Sequence, residues 1–70
     1  MAESVYKVIE LVGTSAKSWE DAAKSAVETA SKSLRDLRVA EVKELDMKVE
    51  KGKVVAYRAR VSLSFKYKAD

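Results

Sequence analysis

Residues Val54 to Tyr67, VVAYRARVSLSFKY, place apolar side chains at the odd positions Val55, Tyr57, Ala59, Val61, Leu63, Phe65 and Tyr67. Most even positions, Arg58, Arg60, Ser62, Ser64 and Lys66, are polar. A period of two held for this long is a β-strand with one dry face. At about 3.3 Å per residue it makes a ribbon of roughly 45 Å, two to three times the usual strand length. Such a ribbon has to be paired along its edges and covered on its dry face, and the rest of the chain must supply both.

Ahead of it, Val5 to Val12, VYKVIELV, is rich in β-branched residues, with Val5, Ile9 and Leu11 on one side and Tyr6, Val8 and Val12 on the other. It reads as a strand buried on both faces over part of its length. Gly13-Thr14-Ser15 then predicts a turn out of the sheet, since Gly relaxes the backbone and hydroxyls favour turns. Ser18 followed by Asp21 is a variant capping box, and Glu20 and Asp21 put negative charge in the first turn of a helix. Its packed stripe is Trp19, Ala22, Ala23, Ala26, Val27, Ala30 and Leu34, with Trp19 anchoring one end as a core residue. Arg35 and Arg38 suit the C-terminal end of the helix dipole.

Arg38 to Glu50 reads as a second long strand in which Ala40 and Val42 fall out of step with Val39, Leu45, Met47 and Val49. A bulge or a change of buried face near Glu41 to Glu44 accounts for the slip. Lys51-Gly52-Lys53 is then a hairpin turn that pairs this strand antiparallel with the ribbon. The fold class is α+β, ordered β-α-β-β, with one helix over the dry face of a three-stranded sheet and residues 1–70 forming a single domain.

A chain of 70 residues buries only about 60% of its unfolded surface and needs added stability. With neither Cys nor His, disulfides and ordinary zinc sites are excluded, and self-association remains. No apolar run spans a bilayer, and MAESVYKVIE lacks the basic and apolar regions of an export signal, so the expected location is cytoplasmic. The 14 basic residues are interspersed with 11 acidic ones, without the clustered footprint of a nucleic-acid binder. A small basic module binding RNA through the polar face of the last strand is an alternative reading, but that face lacks stacking aromatics. No nucleophile-base pair, Gly-rich phosphate loop or nucleophile elbow marks an enzyme. Glu41, Glu44, Asp46 and Glu50 lie on or beside one strand as hard oxygen groups suited to calcium or magnesium, without EF-hand spacing.

The opening VYKVIELVGTS, the helix of SWEDAAKSAVETA, the AEV of Ala40 to Val42 and the YRARVSLSF of Tyr57 to Phe65 together resemble the dodecins, from about Val5 to Lys66. That resemblance implies a sheet wrapped around the helix and a hollow homododecamer that binds or stores a small ligand rather than catalysing a reaction. Dodecins bind flavins, riboflavin or flavin mononucleotide, between tryptophans, with a glutamine on the ring edge. Bacterial members also bind coenzyme A. The stacking Trp position falls on Val39 and the Gln position on Arg58, so the resemblance implies flavin binding weakened or lost. Dodecin-like chains without this Trp are associated with calcium, which makes Glu44 and Asp46 the candidate metal residues by position. Arg58 and Arg60 suit an anionic ligand, or pairing with Glu41 or Glu44 of a neighbouring subunit.

Overall fold

The alternating ribbon is the middle strand of the sheet. The computed structural model describes residues 5–67 and arranges them as β1 (Val5–Ser15), α1 (Trp19–Ser31), β2 (Leu37–Glu50) and β3 (Lys53–Tyr67). Residues 1–4, which open the segment read for an export signal, lie outside the described residues. The sheet order is β1-β3-β2 with both pairings antiparallel. The helix lies mainly over β1 and β3, and its buried Ala22, Ala26 and Ala30 meet Ala59, Val61 and Leu63 of the ribbon's dry face. Ile9, Leu11, Val27, Leu34 and Leu37 pack around this core.

The expected turn at Gly13 to Ser15 is instead the last part of β1, paired with Ala59, Arg58 and Tyr57. Its Gly serves close packing. A Cβ on Gly13 would lie 2.0 Å from the Ala22 carbonyl oxygen and 3.0 Å from Ala26 Cβ, so the missing side chain is what lets the Ala-rich helix settle on the strand. The chain leaves the sheet just afterwards. There Ser15 Oγ donates to Asp21 at 2.7 Å and accepts the Lys17 N–H, while Ser18 caps the helix by accepting the Asp21 N–H at 3.0 Å.

At its other end the helix stops at Ser31, one turn short of Leu34, whose N–H still donates to the Ala30 carbonyl. Asp36 then takes a left-handed φ of 59°, which no helix accommodates, and turns the chain into β2. Arg35 therefore lies in the connection and Arg38 in a strand, and neither reaches the last helical turn as expected.

The irregularity of β2 resolves into bulges, one of them between Val42 and Glu44. Up to it, Ala40 and Val42 pair with Leu63 and Val61 on the helix side. Beyond it, Leu45 and Met47 take over that side, opposite Ala59 and Tyr57. One extra residue thus re-phases the strand, and Val39 goes to the opposite face. The hairpin closes between Glu50 and Lys53 through Lys51 (φ 52°) and Gly52 (φ 75°), two left-handed residues as in a type I′ turn.

One helix does not hide this sheet. Val5, Tyr6, Val8, Val12, Val39, Val42, Leu45, Met47, Val49, Val54, Val55 and Tyr67 remain exposed. Burial of β1 on both faces is therefore not realised within one chain: Tyr6, Val8 and Val12 face outward, where no helix follows. The chain exposes 5554 Å², against about 4,400 Å² for a folded monomer of its mass. Its radius of gyration is 14.6 Å, against about 11 Å for a compact domain of this length. No helix among the described residues is long and apolar enough to cross a membrane.

Candidate functional site

Alternation along β3 that sends the apolar residues to the helix sends Arg58, Arg60, Ser62 and Ser64 to the other face. On β2 the bulge after Val42 brings Glu44 and Asp46 to that same face, directly opposite Arg60 and Arg58. On β1 it is joined by Glu10. The result is a ladder of charge across three strands. Arg58 Nε and Nη2 donate to the two oxygens of Asp46 at 2.7 and 2.9 Å, a bidentate pair. Arg60 stands between Glu44, at 3.2 Å, and Glu10, at 3.8 Å.

The hydrogen bonds from Arg58 hold the Asp46 carboxyl below its ordinary value, its slight desolvation opposing and the charges of Arg58 and Arg60 reinforcing them. Reciprocally, the bond to Asp46 raises Arg58. Both side chains are about half-exposed, so water and salt screen the pair. Its backbone is held more firmly. The indole N–H of Trp19 donates to the Asp46 carbonyl at 2.9 Å, and the Trp19 ring meets Tyr57, the neighbour of Arg58, edge-on with centroids 5.2 Å apart. On the helix side, Trp19, Glu20, Ala23, Val42 and Leu45 line an open apolar cavity of about 500 Å³.

The candidate residues do not all come together. Val39 pairs with Ser64, six residues along β3 from Arg58, so the two lie about 20 Å apart in one chain. Glu44 and Asp46 do share a face, but each already meets an arginine. Among the described residues, no group of three or more His, Cys, Asp or Glu is placed to hold a metal ion. Within the chain Arg58 pairs with Asp46, and Arg60 with Glu44 across the hairpin and with Glu10. The Asp46 and Arg58 pairing was hidden by a second bulge. Counting back from the Lys51-Gly52 turn sets Asp46 opposite Tyr57, and the slip between Lys48 and Val49 moves it to Arg58. The Trp19 bond to a strand carbonyl left no signal beyond the position of Trp19 at the helix start.

Order, topology and an uncovered apolar sheet define a class: small β-α-β-β chains whose central long strand carries a single short helix. The dodecin family profile matches residues 5–68, and the chain belongs to the dodecin family. Its sequence is 51% identical over 63 residues to calcium dodecin of Mycobacterium tuberculosis, covering 90% of this chain and 89% of that one. A crystal structure of the M. tuberculosis protein, described as calcium-chelating with a calcium-binding site, superposes with a TM-score of 0.83 at 50% identity over 96% of each chain. Dodecin from Streptomyces coelicolor superposes over the whole of both chains with a TM-score of 0.91 at 33% identity.

Proposed function

We propose that this chain is a non-catalytic binding or storage protein that closes into a hollow homododecamer and holds a small ligand or ion between its copies. The observation that carries the reading is the uncovered sheet. Roughly 1,200 Å² of surface beyond that of a folded monomer of this mass, much of it Val, Leu, Met and Tyr, is what an interface between copies would bury. The 20 Å between Val39 and Arg58 supports the same reading, because a small ligand touching both positions has to take them from different subunits.

Flavin is the ligand this chain is least suited to. Val39 has no ring to stack, which forgoes roughly 1 kcal/mol per contact beyond area. Arg58, at the ring-edge position, cannot accept a hydrogen bond and is engaged by Asp46. Calcium enters the proposal from the M. tuberculosis relative. Glu44 and Asp46 do not make a calcium site within one chain: calcium takes six to eight oxygens, and Asp46 commits both of its oxygens to Arg58. A site would need oxygens from more than one copy. Glu44, which meets Arg60 through one oxygen, is the residue to test first and Asp46 the second. As a general acid Asp46 is disfavoured, because both of its oxygens are held by Arg58, which lowers its carboxyl when a proton donor at neutral pH needs it raised.

Parallel titrations of the assembled protein test the reading. Calcium should bind saturably and Glu44→Gln should weaken it at least tenfold, while riboflavin fluorescence stays unquenched. Strong riboflavin quenching, or calcium binding indifferent to Glu44 and Asp46, would contradict the assignment of those positions.

A further inference from the structure

Arginine recognises oxyanions through its fork, two parallel N–H groups that match two oxygens of a carboxylate or phosphate. On Arg58 the Nε and Nη2 fork is filled by Asp46 at 2.7 and 2.9 Å. The fit is built into the sheet. Asp46 is the cross-strand partner of Arg58, and its carbonyl is tied to the Trp19 indole, so the carboxylate is delivered by backbone register rather than by a wandering side chain. Arg60 is flanked by Glu44 and Glu10. Two arginines and three carboxylates leave this ladder with a net charge of −1, so a dissolved oxyanion meets a filled fork flanked by carboxylates.

We infer that Asp46 is a specificity-determining residue: as the built-in counter-ion of Arg58, it keeps phosphate-bearing ligands off this face. Withdrawing its charge leaves two arginines against two carboxylates, with one fork open toward solvent, and converts the position into an oxyanion site. With Asp46 in place a phosphorylated ligand is disfavoured relative to an uncharged or cationic one of the same shape, and this holds for coenzyme A and flavin mononucleotide alike. The inference concerns the face used in the proposal above, but it depends neither on calcium nor on the number of copies, since the pair lies within one chain.

Inorganic pyrophosphate is the probe, titrated calorimetrically at low ionic strength into the wild type, Asp46→Asn, Arg58→Gln and the Asp46→Asn/Arg58→Gln double variant. Asn keeps the shape of Asp and loses the charge. Emission of Trp19, the chain's single tryptophan, gives a second readout because its indole bonds the Asp46 carbonyl. Asp46→Asn should bind pyrophosphate about tenfold or more tighter than the wild type, the scale of charge-assisted hydrogen bonds. The double variant should fall back to the wild-type level. Wild-type binding as tight as that of Asp46→Asn overturns the inference, as does a gain that survives Arg58→Gln. Should Asp46→Asn not fold, the wild type decides: pyrophosphate binding abolished by Arg58→Gln contradicts the filled fork, and equal inertness of the two supports it. Calcium binding that fails while the pyrophosphate gain appears sinks the calcium reading alone.

Discussion

Gly13 concentrates the fold's main packing constraint in one missing atom. Any Cβ there meets the Ala22 carbonyl oxygen at 2.0 Å, and that oxygen belongs to a helix backbone that cannot rotate away. Gly13→Ala should therefore cost about 1–3 kcal/mol, toward the upper end of the range for overpacking, in urea unfolding at fixed protein concentration. A change below about 0.5 kcal/mol would mean that helix and strand are not in the contact described. Asp46 offers a second check, through pH. Its carboxyl is held below the unfolded value, so its pairing contributes fully above about pH 4 and is withdrawn as the pH falls through the folded-state value. The stability gap between the wild type and Arg58→Gln should shrink below that pH and stay constant above it. A gap unchanged on acidification would contradict the pair. Arg58 and Asp46 both stood out in the sequence, yet for different ligands, because nothing in the order of residues announces the bulge that makes them neighbours.

Among the elements, legibility followed regularity. β3 was legible because its apolar and polar residues alternate without a break in the sequence, although Val55 stands as an extra residue in its ladder with β2. The helix face was legible from its spacing of three and four and its Ser18 cap. β2 was only half legible: the broken alternation showed that a bulge existed near Glu41 to Glu44, while the slip between Leu37 and Val39, and the one on its partner strand at Val55, left no trace in the pattern. The Gly13 to Ser15 stretch misled because glycine and hydroxyl residues suit turns and close contacts equally, and only the helix position decides between them. The hairpin turn allows a test at this scale. Lys51 sits at φ 52° with a Cβ that disfavours it, whereas Asn tolerates that region and Asn-Gly is a preferred type I′ pair. Lys51→Asn should raise stability by about 0.5 kcal/mol or more, read from the urea midpoint, and Gly52→Val should lower it. A destabilising Lys51→Asn would argue against the I′ geometry.

At the scale of the whole molecule, the balance between surface and core decides the account. An Ala-lined helix of thirteen residues covers part of a sheet whose strands run eleven to fifteen residues. The remainder is apolar and lies open in a body of 56 × 20 × 15 Å. That one helix leaves much of the sheet uncovered was legible from the length of the alternating strand. Which surfaces would meet in the proposed assembly was not, since contacts between copies write no periodicity into a single chain. The central claim is that these surfaces are buried between copies. Sedimentation velocity at micromolar chain concentration tests it most directly. One boundary near 94 kDa, twelve times the 7.8 kDa chain, is the predicted result, and a stable species of 7.8 kDa would contradict it.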